Sequence, residues 1–156
     1  LGDGTSNDAF HMTAPRPTGE DAARAIALAL RDARLCPDEI DYLNAHATGT
    51  CLGDAAEALA IRRAFGAYAD HLPVSGTKGL HGHALGASGA IATAITTLAL
   101  HHGWLPPTSN LGQPDPACDL AHVSSPGRDA PVGVAVTNAF GFGGINASLV
   151  VRRWDD

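Results

Sequence analysis

Lys78, His81 and His83 stand together in Val74-Ser75-Gly76-Thr77-Lys78-Gly79-Leu80-His81-Gly82-His83-Ala84-Leu85-Gly86-Ala87-Ser88-Gly89. There a strand-like run hands over to the glycine-punctuated start of an apolar helix, a favoured place for chemistry in an α/β protein. A second cluster, Asn44-Ala45-His46-Ala47-Thr48-Gly49-Thr50, also follows a strand-like run. In such loops the neutral imidazoles of His46 and His83 can donate to a carbonyl oxygen that is gaining negative charge. His11, His71, His101, His102 and His122 have no such company and read as packed or surface residues.

Lys78 reads either as a surface lysine or as a buried one. A cation at a helix start opposes the positive partial charge there, so a buried acidic partner is the natural remedy, and Glu57 is the candidate. Thr48 and Thr50 either support a turn or offer hydroxyls to an amide-rich ligand. Phe140-Gly141-Phe142-Gly143-Gly144 is dense enough in glycine for backbone amides to approach a ligand, as an oxyanion site requires, and a plain hairpin turn is the other reading. His81 and His83 give a metal at most two ligands, with no cysteine or carboxylate at a helpful spacing, so no metal site is expected.

The elements around these loops alternate strand and helix, an α/β pattern. Residues 1–17 read as a loop, and Thr18 with Asp21 as a capping signal for a helix through about Leu35, with Ala23, Ile26, Leu30 and Ala33 as its apolar stripe. Residues 40–43 read as a short strand, 55–65 as a helix capped at Asp54 and Glu57 and stopped by Gly66, and 73–75 as a second strand. From Gly79 to Pro114 there is no Asp, Glu, Lys or Arg. The helix expected over about 83–101 is apolar all round, too short and too rich in Ser, Thr and Gly to span a membrane. It therefore needs burial on every face, which one chain of 156 residues can hardly supply. An irregular stretch over 108–130 precedes strands at 132–138 and 147–151.

The length fits one domain with a real core, and 45% hydrophobic residues fit a globular chain. A formal charge of −6 with mixed signs argues against a nucleic-acid partner. Cys36, Cys51 and Cys118 are far apart, which suits a reducing, cytoplasmic compartment. The sequence opens on Leu1 with no leader, and reads as part of something longer.

The Asn44–Thr50 and Lys78–Gly89 motifs, with Pro106-Pro107-Thr108, Asn110-Leu111, Gln113-Pro114-Asp115, Cys118-Asp119-Leu120, Asn138 to Asn146 and the opening His11-Met12-Thr13-Ala14-Pro15, together resemble the C-terminal half of a β-ketoacyl-[acyl carrier protein] synthase. The likeness is to type II elongating condensing enzymes and polyketide ketosynthases, and covers nearly all of residues 1–156. It implies the C-terminal half of a five-layered αβαβα thiolase-like fold, with a mixed sheet and a buried central helix. It also implies an acyltransferase that condenses an acyl-enzyme thioester with malonyl carrier protein by decarboxylative Claisen chemistry, in fatty-acid or polyketide synthesis.

By matching positions, the resemblance makes His46 and His83 the catalytic histidines, Lys78 the lysine that holds the electrostatic environment of the second, and Glu57 its acidic neighbour. Thr48 and Thr50 would bind the phosphopantetheine arm, and Phe140 and Phe142 would form the oxyanion and acyl-gate turn. His81 and Gly76 depart from the residues usual at their positions. The nucleophilic cysteine belongs to the absent N-terminal half, since none of the three cysteines here lies in a small-residue elbow. No cofactor is expected beyond the carrier-bound arm. The implied partners are acyl carrier protein, with Thr13 and its loop near it, the N-terminal half, and a second subunit in a homodimer or heterodimer. The alternative is a non-catalytic partner subunit like the chain-length factors.

Overall fold

The computed structural model describes residues 1–154. One mixed five-stranded sheet runs in the order β1 (Gly2–Asn7), β7 (Ile145–Arg152), β6 (Val134–Gly141), β2 (Tyr42–Asn44), β3 (Val74–Ser75). The β1–β7 and β7–β6 pairs are antiparallel, and the β6–β2 and β2–β3 pairs are parallel. A small antiparallel pair, β4 (Trp104–Leu105) with β5 (Arg128–Asp129), lies apart.

The opening residues, expected as a loop, are an edge strand paired with β7 from Gly2↔Val150 to Asn7↔Ile145. Its turn-forming composition hides the strand, and tertiary pairing overrides weak β propensity. The glycines serve close approach: a Cβ at Gly4 would lie 2.1 Å from the Ala25 carbonyl oxygen of α1 (Glu20–Ala33). Helix α1 begins at Gly19, with φ 64°, and not at a Thr18 side-chain cap. Asp21 instead accepts from Arg16 Nε at 2.7 Å.

Helix α2 (Cys51–Phe65) starts four residues before the expected Ala55, because Thr50 is its cap and accepts from the Gly53 amide at 3.2 Å. Asp54 turns back to accept from the Gly49 amide, which leaves Glu57 free to point inward. Helices α1 and α2 cover one face of the sheet, with Ile26, Leu30, Leu43, Ile61, Phe65 and Val136 in their shared core. A short helix α3 (Lys78–His81) follows β3, and α4 (Ser88–His102) crosses the other face, where Tyr42, Leu100, Leu105, Val123 and Val132 make a second core.

Within this chain α4 is buried on one face only, through Ser88, Ala92, Thr96, Ala99 and Leu100. Ala90, Ala94, Thr97 and Leu98 are exposed, because a single sheet supplies one wall and the helix has two sides to cover. Ala90, Thr93, Ala94 and Leu98, with Ala139 and Leu149 of the sheet, line a groove of about 890 Å³. Among the described residues no helix is long and apolar enough to cross a membrane.

Candidate functional site

Strand β2 ends at Asn44, and its continuation delivers His46 to the C-terminal edge of the sheet. Asn44 is wholly buried and donates from Nδ2 to the Ala92 carbonyl at 3.2 Å and to Thr96 Oγ1 at 3.1 Å, which locks β2 to α4. The next strand, β3, feeds directly into Lys78 at the start of α3. Gly76 permits this: a Cβ there would lie 2.6 Å from the Ala47 Cβ, so glycine lets the two loops close on each other.

Glu57 lies beneath the His46 loop, only 4% exposed. Its carboxylate accepts from the amides of His46 and Ala47, each at 2.8 Å, and from Asn138 Nδ2 at 3.0 Å. Asn138 is held in turn by the Ser148 hydroxyl, which donates to its Oδ1 at 2.5 Å. Burial pushes the Glu57 carboxyl up, against the lowering effect of those three donors. Lys78 is 7% exposed, and its Nζ donates to the His46 carbonyl oxygen.

The sequence reading names Glu57 as the buried acidic partner of Lys78, and Glu57 is buried with its charge favouring the ammonium. The ammonium takes a backbone carbonyl as its hydrogen-bond acceptor, while Glu57 is occupied by backbone amides and acts on it through space. Burial pushes the Lys78 ammonium down, and the Glu57 and Asp54 charges oppose that. Both ionic side chains thus clamp one peptide segment from opposite ends, the carboxylate on its amides and the ammonium on its carbonyl.

The clamp sets the His46 ring against His83, with centroids 5.5 Å apart and planes at 86°, and against Phe140 at 5.6 Å. Burial, reinforced by Lys78 and His83, lowers the His46 pKa to about 4. Its imidazole is neutral near pH 7 and available as a hydrogen-bond donor. Its Nδ1 is buried without a hydrogen-bond partner among the described residues. His83, by contrast, sits in the exposed loop before α4, and its Nδ1 is 2.8 Å from Ser88 Oγ.

His46, His83, Glu57, Thr48, Thr50, Phe140 and Phe142 all line one cleft of about 720 Å³. Thr50 does double service as the α2 cap, with Thr48 Oγ1 3.1 Å from its hydroxyl. Phe142 is 75% exposed in the turn between β6 and β7. Lys78 reaches the site through the His46 carbonyl and is not among the cleft-lining residues. Thr13 lines the same cleft.

Five of the other six histidines make local side-chain contacts. His11 Nδ1 accepts from the Thr13 and Ala14 amides, His122 Nε2 is 2.7 Å from the Cys118 carbonyl, and His101 stacks edge-on with His102 at the end of α4. His81 is exposed, its Nε2 3.2 Å from Thr77 Oγ1. Among the described residues no group of three or more His, Cys, Asp or Glu could hold a metal ion. Sequence reasoning missed Ser88 and the Asn138–Ser148 pair. The alternation of β6 could have found the second, because Asn138 and Val136 fall on the same face of one strand.

The family description "Beta-ketoacyl synthase, C-terminal domain" matches residues 1–112. The 3-oxoacyl-[acyl-carrier-protein] synthase 2 of Coxiella burnetii is 45% identical over 153 residues, which cover 98% of this chain and 37% of that protein. A beta-ketoacyl synthase from Burkholderia phymatum superposes with a TM-score of 0.93 at 42% identity, over 99% of this chain and 37% of its own. A type II polyketide ketosynthase, solved with its acyl-carrier protein and bound to a hexaketide, superposes with a TM-score of 0.95 at 35% identity, over 99% of this chain and 38% of that one. The chain thus spans little more than a third of the length of these relatives. With the thiolase-like α/β architecture of those ketosynthases and the matched domain over residues 1–112, the chain belongs to the β-ketoacyl synthase family and carries its C-terminal domain.

Proposed function

We propose that this chain supplies the decarboxylation and oxyanion half of a condensing active site, whose nucleophilic cysteine comes from an N-terminal half. The observation that carries the reading is the meeting of His46 and His83 edge to face in one cleft, with the His46 peptide clamped by Glu57 and Lys78. Breaking the bond between the malonyl carboxylate and its α-carbon releases carbon dioxide and leaves an electron pair that spreads onto the intact thioester's oxygen as an enolate. Two imidazole N–H groups facing that oxygen lower the barrier where charge develops, an effect worth about 10² to 10³ in rate per donor. The enolate carbon then attacks the acyl-cysteine carbonyl carbon, and the cysteine sulfur leaves as thiolate.

In this reading Thr48 and Thr50 meet the amides of the phosphopantetheine arm, whose carrier protein docks near Thr13, and no cofactor of the chain's own takes part. Phe140 and Phe142 wall and gate the acyl pocket. The assembly is cytoplasmic and pairs with a second subunit, in fatty-acid or polyketide synthesis. The curated relatives, being synthases, favour this reading over a non-catalytic chain-length-factor role.

The test mixes the chain with its N-terminal half and measures carbon dioxide release from malonyl carrier protein, with His46→Ala and His83→Ala alongside. Each substitution is expected to cut the rate at least 10²-fold. A folded wild-type assembly that releases none, or variants as fast as wild type, would overturn the catalytic assignment in favour of a partner subunit.

A further inference from the structure

We infer that Ser88 is a positioning residue for His83: its hydroxyl donates to Nδ1, holds the ring in the Nε2–H tautomer and keeps that N–H on the cleft side. This rests on the reading of His83 as an oxyanion donor. Ser88 is 4% exposed, and its Oγ lies 2.8 Å from His83 Nδ1. A hydroxyl buried that deeply requires a partner, and the imidazole nitrogen is within ordinary hydrogen-bond distance.

The two ends of this bond differ in rigidity. Ser88 opens α4, whose next turn is tied to β2 where Asn44 Nδ2 donates to the Ala92 carbonyl. His83 belongs to the exposed loop between α3 and α4. Of the two, the serine is therefore the anchor and the ring the part that is aimed. His46 is placed by other means, through its clamped peptide and through packing on Phe140 and His83, while its Nδ1 has no hydrogen-bond partner among the described residues. Loss of the Ser88 hydroxyl should therefore release one imidazole and not the other.

The direction of the bond follows from the chemistry at the opposite ring nitrogen. A neutral imidazole carries one N–H, and serine can donate or accept. If Ser88 accepted, Nδ1 would hold the proton and Nε2 would present a lone pair to an oxygen gaining negative charge. If Ser88 donates, Nε2 holds the proton and stabilises that oxygen. No covalent bond changes in either case.

The experiment uses the assembled synthase carrying Ser88→Ala or Ser88→Thr, read by malonyl carrier protein decarboxylation and by nitrogen-15 NMR of the labelled histidine rings. Ser88→Ala is expected to lower kcat about tenfold with KM changed less than about twofold, and to turn the His83 pattern from Nε2–H into a tautomer mixture. Ser88→Thr, which keeps the hydroxyl, should retain the wild-type pattern and most of kcat. An unchanged His83 pattern in Ser88→Ala, or an Nδ1–H pattern in the wild type, overturns the inference. The NMR arm decides the Ser88–His83 coupling by itself, so a failure of the functional reading would appear separately, as His83→Ala decarboxylating at the wild-type rate.

Discussion

Between about pH 4 and about 6.5, His46 binds more protons in the unfolded chain than in the folded one, because its folded pKa is lowered to about 4 from the ordinary 6.5. The sign follows: stability rises with pH through that window, is fully present above 6.5 and is lost as pH falls to 4. The cause is local, since burial and the neighbouring Lys78 and His83 all disfavour the imidazolium. We expect the urea midpoint to fall between pH 7 and pH 4.5, and to fall less in His46→Gln. Equal falls in the two proteins would assign the acid sensitivity elsewhere. The same residue shows the limit of reading side chains singly. The setting of His46 was legible in Asn44-Ala45-His46, but the burial that chiefly lowers its pKa, and the lesser push from Lys78, 32 positions away in the chain, come from the folded structure.

At the scale of elements, β1 and α1 pack backbone against backbone. A Cβ on Gly4 would meet the Ala25 carbonyl at 2.1 Å and the Ala29 nitrogen at 2.5 Å, both backbone atoms of a helix that cannot yield locally. Gly4→Ala is expected to destabilise the chain by about 1–3 kcal/mol or more by forcing α1 off the sheet. Gly112→Ala, which meets nothing within 4 Å, is the matched control. Chemical denaturation of both variants checks this, and an unperturbed Gly4→Ala would mean the junction is looser than its geometry. Helix α1 was legible from the periodicity of its apolar stripe. Strand β1 was not, since Gly-Asp-Gly-Thr-Ser-Asn has the composition of a turn and becomes a strand only because β7 offers it an edge. The α2 boundary was missed for a related reason: Asp54 and Glu57 imitate a capping box, while Thr50 forms the cap.

The whole molecule is three layers, α1 and α2, the sheet, then α4, with the outer side of α4 bare. Leu98 is 54% exposed and Leu149 40%, both beside the 890 Å³ groove. The lining they share with Ala90, Ala94, Ala139 and Ala147 is mostly apolar, the kind of surface a partner covers. In the proposed assembly the N-terminal half covers it. We expect the chain alone to bind an apolar-surface dye strongly, and an equimolar N-terminal half to suppress the signal. Leu98→Glu should weaken that suppression. Dye binding unaffected by the second half would place the contact on another face.

The absence of charge from Gly79 to Pro114 was enough to say that α4 demands cover on both sides, because burying an apolar helix requires no knowledge of what buries it. The loop motifs likewise marked His46, Lys78 and His83, since glycine and small residues after a strand announce backbone that must turn sharply near a polar group. The partners of those residues were decided by the tertiary structure. Lys78 takes the His46 carbonyl and not Glu57, Glu57 takes two amides and Asn138, and Ser88 takes the His83 ring. A hydrogen bond depends on ångström-scale placement of groups far apart in the chain, and that placement exists only once β2, β3 and β6 lie side by side with α4 across them.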